Sequence, residues 1–227
     1  MTLFWLPTIP TIPSLPLMNN INLINDDCMN IITNYEDNYF DLAIVDPPYG
    51  LKDFSKNPEQ GTGKLKNRIF QEMDKKRWDD APKSSYFFEL FRVSKNQIIW
   101  GGNYFDLPPT RGIICWDKQQ PFPNFSAFEY AWTSYNKPAK IFRMVNNQRN
   151  KIHPTQKPEK LYRWILNEYV SKDSKILDTH MGSGTIAIAC YEYGCDLTAI
   201  EIDKDYYDKA VKSYSEYTSQ GDIFEKI

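Results

Sequence analysis

Short apolar runs bounded by turn residues recur along the chain, with helical periodicity between them, and this alternation constrains the fold most. Runs at 21–24, 42–45, 97–100, 113–116, 175–177 and 197–200 read as buried strands of a mostly parallel sheet. Residues 128–132 and 140–144 read as further strands. Helices are predicted over 84–93, 158–170, 185–193 and 204–217, the first with Tyr86, Phe87, Leu90 and Phe91 on one face. Strands alternating with helices imply an α/β, doubly wound layer structure. A chain of 227 residues is one domain by length and buries enough surface to need no disulfide or metal.

Cys28, Cys115, Cys190 and Cys195 form no C-x-x-C pair, and two histidines are too few to complete a zinc set. The expectation is therefore no metal and a reducing, cytoplasmic setting. Residues 1–19 form a proline-rich arm with Pro7, Pro10, Pro13 and Pro16 spaced by three, as on one face of a polyproline II helix. Prolines interrupt its apolar core, so it reads neither as a secretory signal nor as a membrane span.

The net charge of −2 hides an uneven distribution. Residues 51–77 hold eight bases and four acids, and residues 137–163 hold eight bases against Glu159 alone. These basic blocks lie between acidic ends and are candidate phosphate surfaces.

Two strand ends carry the chemistry. The run Leu42-Ala-Ile-Val45 stops at Asp46-Pro47-Pro48-Tyr49. The prolines supply no N–H and restrict the residue before each, so an aspartate and a carbonyl stand side by side as a twin acceptor for an NH₂ group. Tyr49 adds a π-face for a planar ring. The second strand end, Asp178-Thr-His-Met-Gly-Ser-Gly-Thr185, enters a helix through a glycine-rich turn. Gly182 and Gly184 let backbone approach a ligand, and Glu201 ends the next strand, where an acid takes ribose hydroxyls.

Together these segments resemble motifs IV and I of the S-adenosylmethionine-dependent amino-group DNA methyltransferases, in the permuted order of the β class. His153-Pro-Thr-Gln-Lys-Pro158 resembles motif X of that family, which helps hold the methionine end of the cofactor. Asn25-Asp-Asp-Cys28 resembles the segment whose acid lies near the adenine ring, and Gly101-Gly102-Asn103 fits an element near the target base. Where the family has Asp-Pro-Phe, this chain has Asp178-Thr179-His180-Met181, and Met181 replaces a commonly small residue.

The resemblance implies a Rossmann-like fold and a single catalytic domain over 20–227, with DNA-contacting insertions near 51–80 and 118–152. It implies S-adenosylmethionine as cofactor and double-stranded DNA as partner, allows a homodimer, and fits a restriction–modification or phage-type enzyme. The implied catalytic residues are Asp46, Pro47, Pro48 and Tyr49. The implied cofactor residues are Asp27, Cys28, His153, Thr155, Lys157, Asp178, Gly182, Gly184, Thr185 and Glu201, with His180 either a contact or packing. The reaction expected is methylation of adenine N6, because Asp rather than Ser precedes Pro-Pro. Cytosine N4 is the nearest alternative, and a non-catalytic, cofactor-responsive DNA-binding protein is the alternative from another class.

Overall fold

In a computed structural model, residues 19–50, 80–120, 126–145, 153 and 156–224 are described. The proline-rich residues before Asn19, the basic block at 51–77, Phe122, Phe125, Arg149, Lys151 and Thr155 lie outside them. The strands are β1 (Ile21–Asn25), β2 (Leu42–Val45), β3 (Gln97–Trp100), β4 (Ile113–Asp117), β5 (Phe128–Thr133), β6 (Lys140–Arg143), β7 (Lys175–Asp178) and β8 (Asp196–Glu201). The helices are α1 (Cys28–Ile32), α2 (Ser84–Val93), α3 (Glu159–Tyr169), α4 (Thr185–Tyr193) and α5 (Lys204–Phe224).

The strands form one sheet in the order β1-β8-β7-β2-β3-β5-β4-β6. Neighbours pair in parallel except where β5 lies between β3 and β4, antiparallel to both. Every residue of β2 and β3 is buried, as expected of central strands covered on both faces. Successive side chains point to opposite faces, so Leu42 and Ile44 pack with α3 and α4 while Ala43 and Val45 pack with α2. One core cluster carries Leu161 and Ile165 of α3 with Ile186 and Ala187 of α4; the other carries Ile32 of α1 with Tyr86, Leu90 and Val93 of α2. Burial of each large aliphatic side chain contributes about 1.5–3 kcal/mol before conformational entropy is counted.

The order reverses between β7 and β2. From β7 the chain passes through α4 to β8 on one side; from β2 it reaches β3, by way of α2, on the other. The carboxyl ends of two adjacent strands therefore open a crevice, the place where doubly wound sheets bind ligands. Both chemical motifs sit on its lips. The α/β, doubly wound, mostly parallel architecture expected from the sequence is the one observed.

Helix α1 and the short 3₁₀ turn Gly102–Tyr104 were not expected from periodicity. Each is too short to show an apolar repeat. Helix α5 continues past position 217 to Phe224.

Candidate active site

Beyond β2, Asp46 is held at both carboxylate oxygens. Tyr49 Oη donates to Oδ1 at 2.6 Å, and the Lys157 ammonium pairs with Oδ2. Burial, reinforced by Asp46, pushes the Tyr49 phenol far above its ordinary pKa, so its hydroxyl keeps the proton it donates. Gly101 lies against the Tyr49 ring at φ +67° and Tyr104 stacks on it, centroids 4.9 Å apart and 19° from parallel. Phe105 meets it edge-on at 6.1 Å. Tyr104 itself is half exposed.

Lys157 comes from the segment before α3. Pro158 stands at the N-cap of that helix with φ −65°, a residue that cannot continue a helix backward and disfavours helical backbone at Lys157. The lysine side chain is 2% exposed and also faces Glu129 Oε2 at 3.3 Å. Its ammonium lies 4.9 Å from the centroid of the buried Trp100 ring. Glu129 Oε1 in turn pairs with Lys118 at 2.6 Å. Burial alone would strip the Lys157 proton, but Asp46 and Glu129 outweigh it and raise its pKa above the ordinary lysine value. Burial likewise disfavours the Glu129 anion, yet Lys157 and Lys118 together hold that carboxyl below the usual range.

Across the crevice, Asp178 ends β7 fully buried. Burial lifts its pKa to about 7, Asp46 and Glu201 add to the rise, and the His180 backbone N–H donating at 3.0 Å opposes it. Glu201 ends β8 and accepts from the backbone N–H groups of Gly182 and Asp203, both at 2.8 Å; burial still raises its pKa. Gly184 caps α4 at φ +70°, where a side chain would also press within 2.8 Å of Ala210 Cβ, so glycine is required on two counts. Thr185 opens α4 and shares a 2.8 Å hydrogen bond with Ser183.

His153 sits beside Gly182 and meets the Tyr206 ring edge-on at 4.4 Å; burial, with Lys157 nearby, lowers its pKa to about 4. Burial does the same to His180, whose Nδ1 lies 2.9 Å from Thr179 Oγ1. That hydroxyl also meets Tyr86 Oη at 2.6 Å. Beside the end of β8, Asp27 caps α1 by accepting the Met29 N–H at 2.8 Å, and burial lifts the Cys28 thiol to about 12. Met181 is buried in the core, its N–H on the Ile200 carbonyl.

The sequence groups thus converge, with one regrouping. Lys157, expected beside the cofactor with His153, makes its ion pairs with Asp46 and Glu129. Glu129, Lys118, Trp100 and Tyr104 carried no individual signal in the sequence; only the β4–β5 pairing brings the first two together. The basic block 137–163 is also less free than its count implies. Lys140 pairs with Glu168, Arg143 with Asp117, Arg163 with Glu159 and Glu192, and Lys137 lies over the Tyr135 and Tyr169 rings.

A mostly parallel sheet that carries Asp46-Pro47-Pro48-Tyr49 and a glycine-rich turn on either side of its switch point has the crevice in which doubly wound sheets bind ligands. The model of the N6/N4 methyltransferase family, described as DNA methylase, matches residues 54–212, and the chain belongs to that family. It is 26% identical over 250 residues to the type II methyltransferase M2.MboI of Moraxella bovis, spanning 88% of this chain and 89% of that protein. It is 23% identical over 256 residues to M.HpaI of Haemophilus parainfluenzae, spanning 90% and 78%. Among solved structures, the M1.HpyAVI–SAM complex aligns with TM-score 0.55 at 21% identity, covering 85% of this chain and 99% of that one. The cytosine-N4-specific PvuII DNA methyltransferase aligns with TM-score 0.59 at 13% identity, covering 85% and 86%. Among the described residues, no helix is long and apolar enough to cross a membrane.

Proposed function

We propose that this DNA methylase transfers a methyl group from S-adenosylmethionine to the N6 amine of adenine in double-stranded DNA. The observation that carries this reading is Asp46: a carboxylate held at both oxygens at the mouth of the switch-point crevice, followed by two prolines that supply no backbone N–H there.

The family uses S-adenosylmethionine, and the donor set fits it. Glu201 accepts backbone N–H groups yet has acceptor capacity left for a ribose diol, since a carboxylate offers about four lone-pair sites. Gly182, Gly184 and Asp178 supply backbone and carboxyl for the amino-acid end, with His153 beside Gly182. Asp27 and Cys28 follow Asn25, the β1 residue that pairs with Glu201, and would line the adenine end. Bound there, the cofactor supplies an electrophilic methyl on a sulfonium.

The chain's own residues address the acceptor. An exocyclic adenine nitrogen is a weak nucleophile because its lone pair is delocalised into the ring. N–H groups accepted by Asp46 and by the Pro47 carbonyl favour a more tetrahedral nitrogen, whose developing positive charge the Asp46 anion stabilises. Tyr49 keeps Asp46 oriented. Because Gly101 and Tyr104 cover its ring, an extruded base would reach it only by displacing the half-exposed Tyr104 ring, which corrects the open π-face expected from the sequence. Asp before Pro-Pro favours adenine over cytosine.

The test is labelled methyl transfer to unmodified DNA, followed by nucleoside analysis. N6-methyladenine is expected. N4-methylcytosine would replace the adenine assignment, and cofactor binding without transfer to any DNA would favour a non-catalytic binding protein.

A further inference from the structure

We propose that Glu129, secured by Lys118, is a positioning residue for methyl transfer: it holds the Lys157 ammonium in place on Asp46 and cancels the charge that lysine would otherwise bring to the acceptor nitrogen. This inference rests on the role assigned above to Asp46.

Four alternating charges run from the sheet into the crevice: Lys118, Glu129, Lys157 and Asp46. The β4–β5 register sets the first two. Glu129 lies opposite Trp116, and the Lys118 N–H continues the ladder onto the Ala127 carbonyl at 2.9 Å. Lysine is ordinarily a flexible point charge with three donors. Here two of those donors meet carboxylates, and the ammonium also lies over the Trp100 ring. Without Glu129 the lysine loses one of its two acids, and with it the restraint that sets the Asp46 carboxylate.

Charge gives the second reason. With all four ionised, these groups sum to zero charge. During transfer, positive charge moves from the donor sulfur toward the nitrogen at Asp46. Neutralising Glu129 alone leaves one net positive charge beside that nitrogen, which opposes the transition state more than the ground state. A purely structural ion pair on this face has a simpler apolar solution: the neighbouring core is Trp100, Trp116 and Ala131. Replacement of buried charges by well-packed apolar groups is often neutral or stabilising.

The experiment compares full-length wild type with Glu129→Gln, Glu129→Asp and Asp46→Ala, using labelled S-adenosylmethionine and genomic DNA amplified in vitro. Glu129→Gln is expected to lower kcat by roughly ten- to a hundredfold, the scale of an ångström-level misplacement at a reacting atom. Cofactor affinity, measured by calorimetry on the same preparation, is expected to stay within about twofold, because the groups assigned to it are untouched. A new alkaline limb enters the kcat–pH profile, since a buried lysine with one acid fewer loses its proton more easily. Glu129→Asp restores part of the rate and moves that limb back.

Wild-type kcat and pH profile in Glu129→Gln, with Asp46→Ala inactive, would overturn this inference and leave the role of Asp46 standing. Equal losses in kcat and cofactor affinity with an unchanged pH profile would mark Glu129 as structural and overturn it too. Full activity in Asp46→Ala would instead remove the reading on which it rests.

Discussion

A methyl group added at position 101 tests how tightly the Tyr49 ring is held. A Cβ built on Gly101 lies 2.2 Å from Tyr49 Cε1, 2.6 Å from Cζ and 2.7 Å from Cδ1. Carbon atoms in contact sit about 3.5–4.0 Å apart, so Gly101→Ala forces the ring back by roughly 1.3 Å or more. Among the described residues, its compliant side is toward Tyr104, which is half exposed. Retreat in that direction stretches the 2.6 Å bond that orients Asp46. Backbone adds to the effect: φ is +67°, and a left-handed conformation costs an L-residue about 1–2 kcal/mol. With overpacking of about 1–3 kcal/mol, the expected loss of stability is roughly 2–5 kcal/mol.

The catalytic loss should exceed what that destabilisation causes. An ångström at a reacting centre costs about a hundredfold in rate. The matched control is Gly194→Ala, where φ is +87° but nothing lies within 4 Å of the added carbon. It pays the backbone strain without the collision. Denaturant unfolding and steady-state methyl transfer on both variants separate the two effects. The reasoning is refuted if Gly101→Ala keeps wild-type kcat, or if Gly194→Ala loses as much.

Tyr49→Phe leaves the ring and removes the donor to Asp46; a hydrogen bond to a charged group contributes about 1.5–3 kcal/mol, so kcat should fall at least about tenfold with cofactor affinity unchanged. Asp178 makes stability fall with rising pH: its folded pKa of about 7 lies above the unfolded value, so its contribution is full below about pH 4 and lost as pH climbs through 7. Roughly 4 kcal/mol is involved, and the advantage of Asp178→Asn over wild type in urea unfolding should grow between about pH 4 and pH 7. The buried histidines act oppositely: the His180 pKa of about 4 means stability is lost as pH falls from about 6.5 through 4, and His180→Gln should blunt that acid transition. DNA affinity should fall steeply with salt, and neutralising Arg149 and Lys151 together should flatten the slope. Neutralising Lys140, Arg143 and Arg163, already paired with Glu168, Asp117, Glu159 and Glu192, should leave it unchanged.

How much of this was legible in the sequence depends on the range of the interaction. β2, β3, α2 and α4 carry their own boundaries, because apolar runs and turn residues mark both ends locally. Asp27 before Cys28 is a readable helix-cap signal for α1, though its five residues are too few for a period. The two strand-end motifs were legible one by one; that they share a crevice follows only from the strand order, in which β7 lies beside β2. The charge chain was not. Lys157 meets Asp46 across 111 positions and Glu129 lies on another strand, so only sheet register joins them. Counting charge along the chain misleads for the same reason: the acids that occupy Lys140, Arg143 and Arg163 include Glu168, Asp117 and Glu192, all outside the block.

The central claim is that Asp46 holds an adenine amine for methylation. Its most direct test is transfer of labelled methyl groups to unmodified DNA by wild type and by Asp46→Ala, with nucleoside analysis of the product and cofactor binding measured on both proteins. The account predicts label in N6-methyladenine for wild type, and loss of transfer with cofactor binding retained for Asp46→Ala. Label in another base, or undiminished turnover by Asp46→Ala, would contradict it.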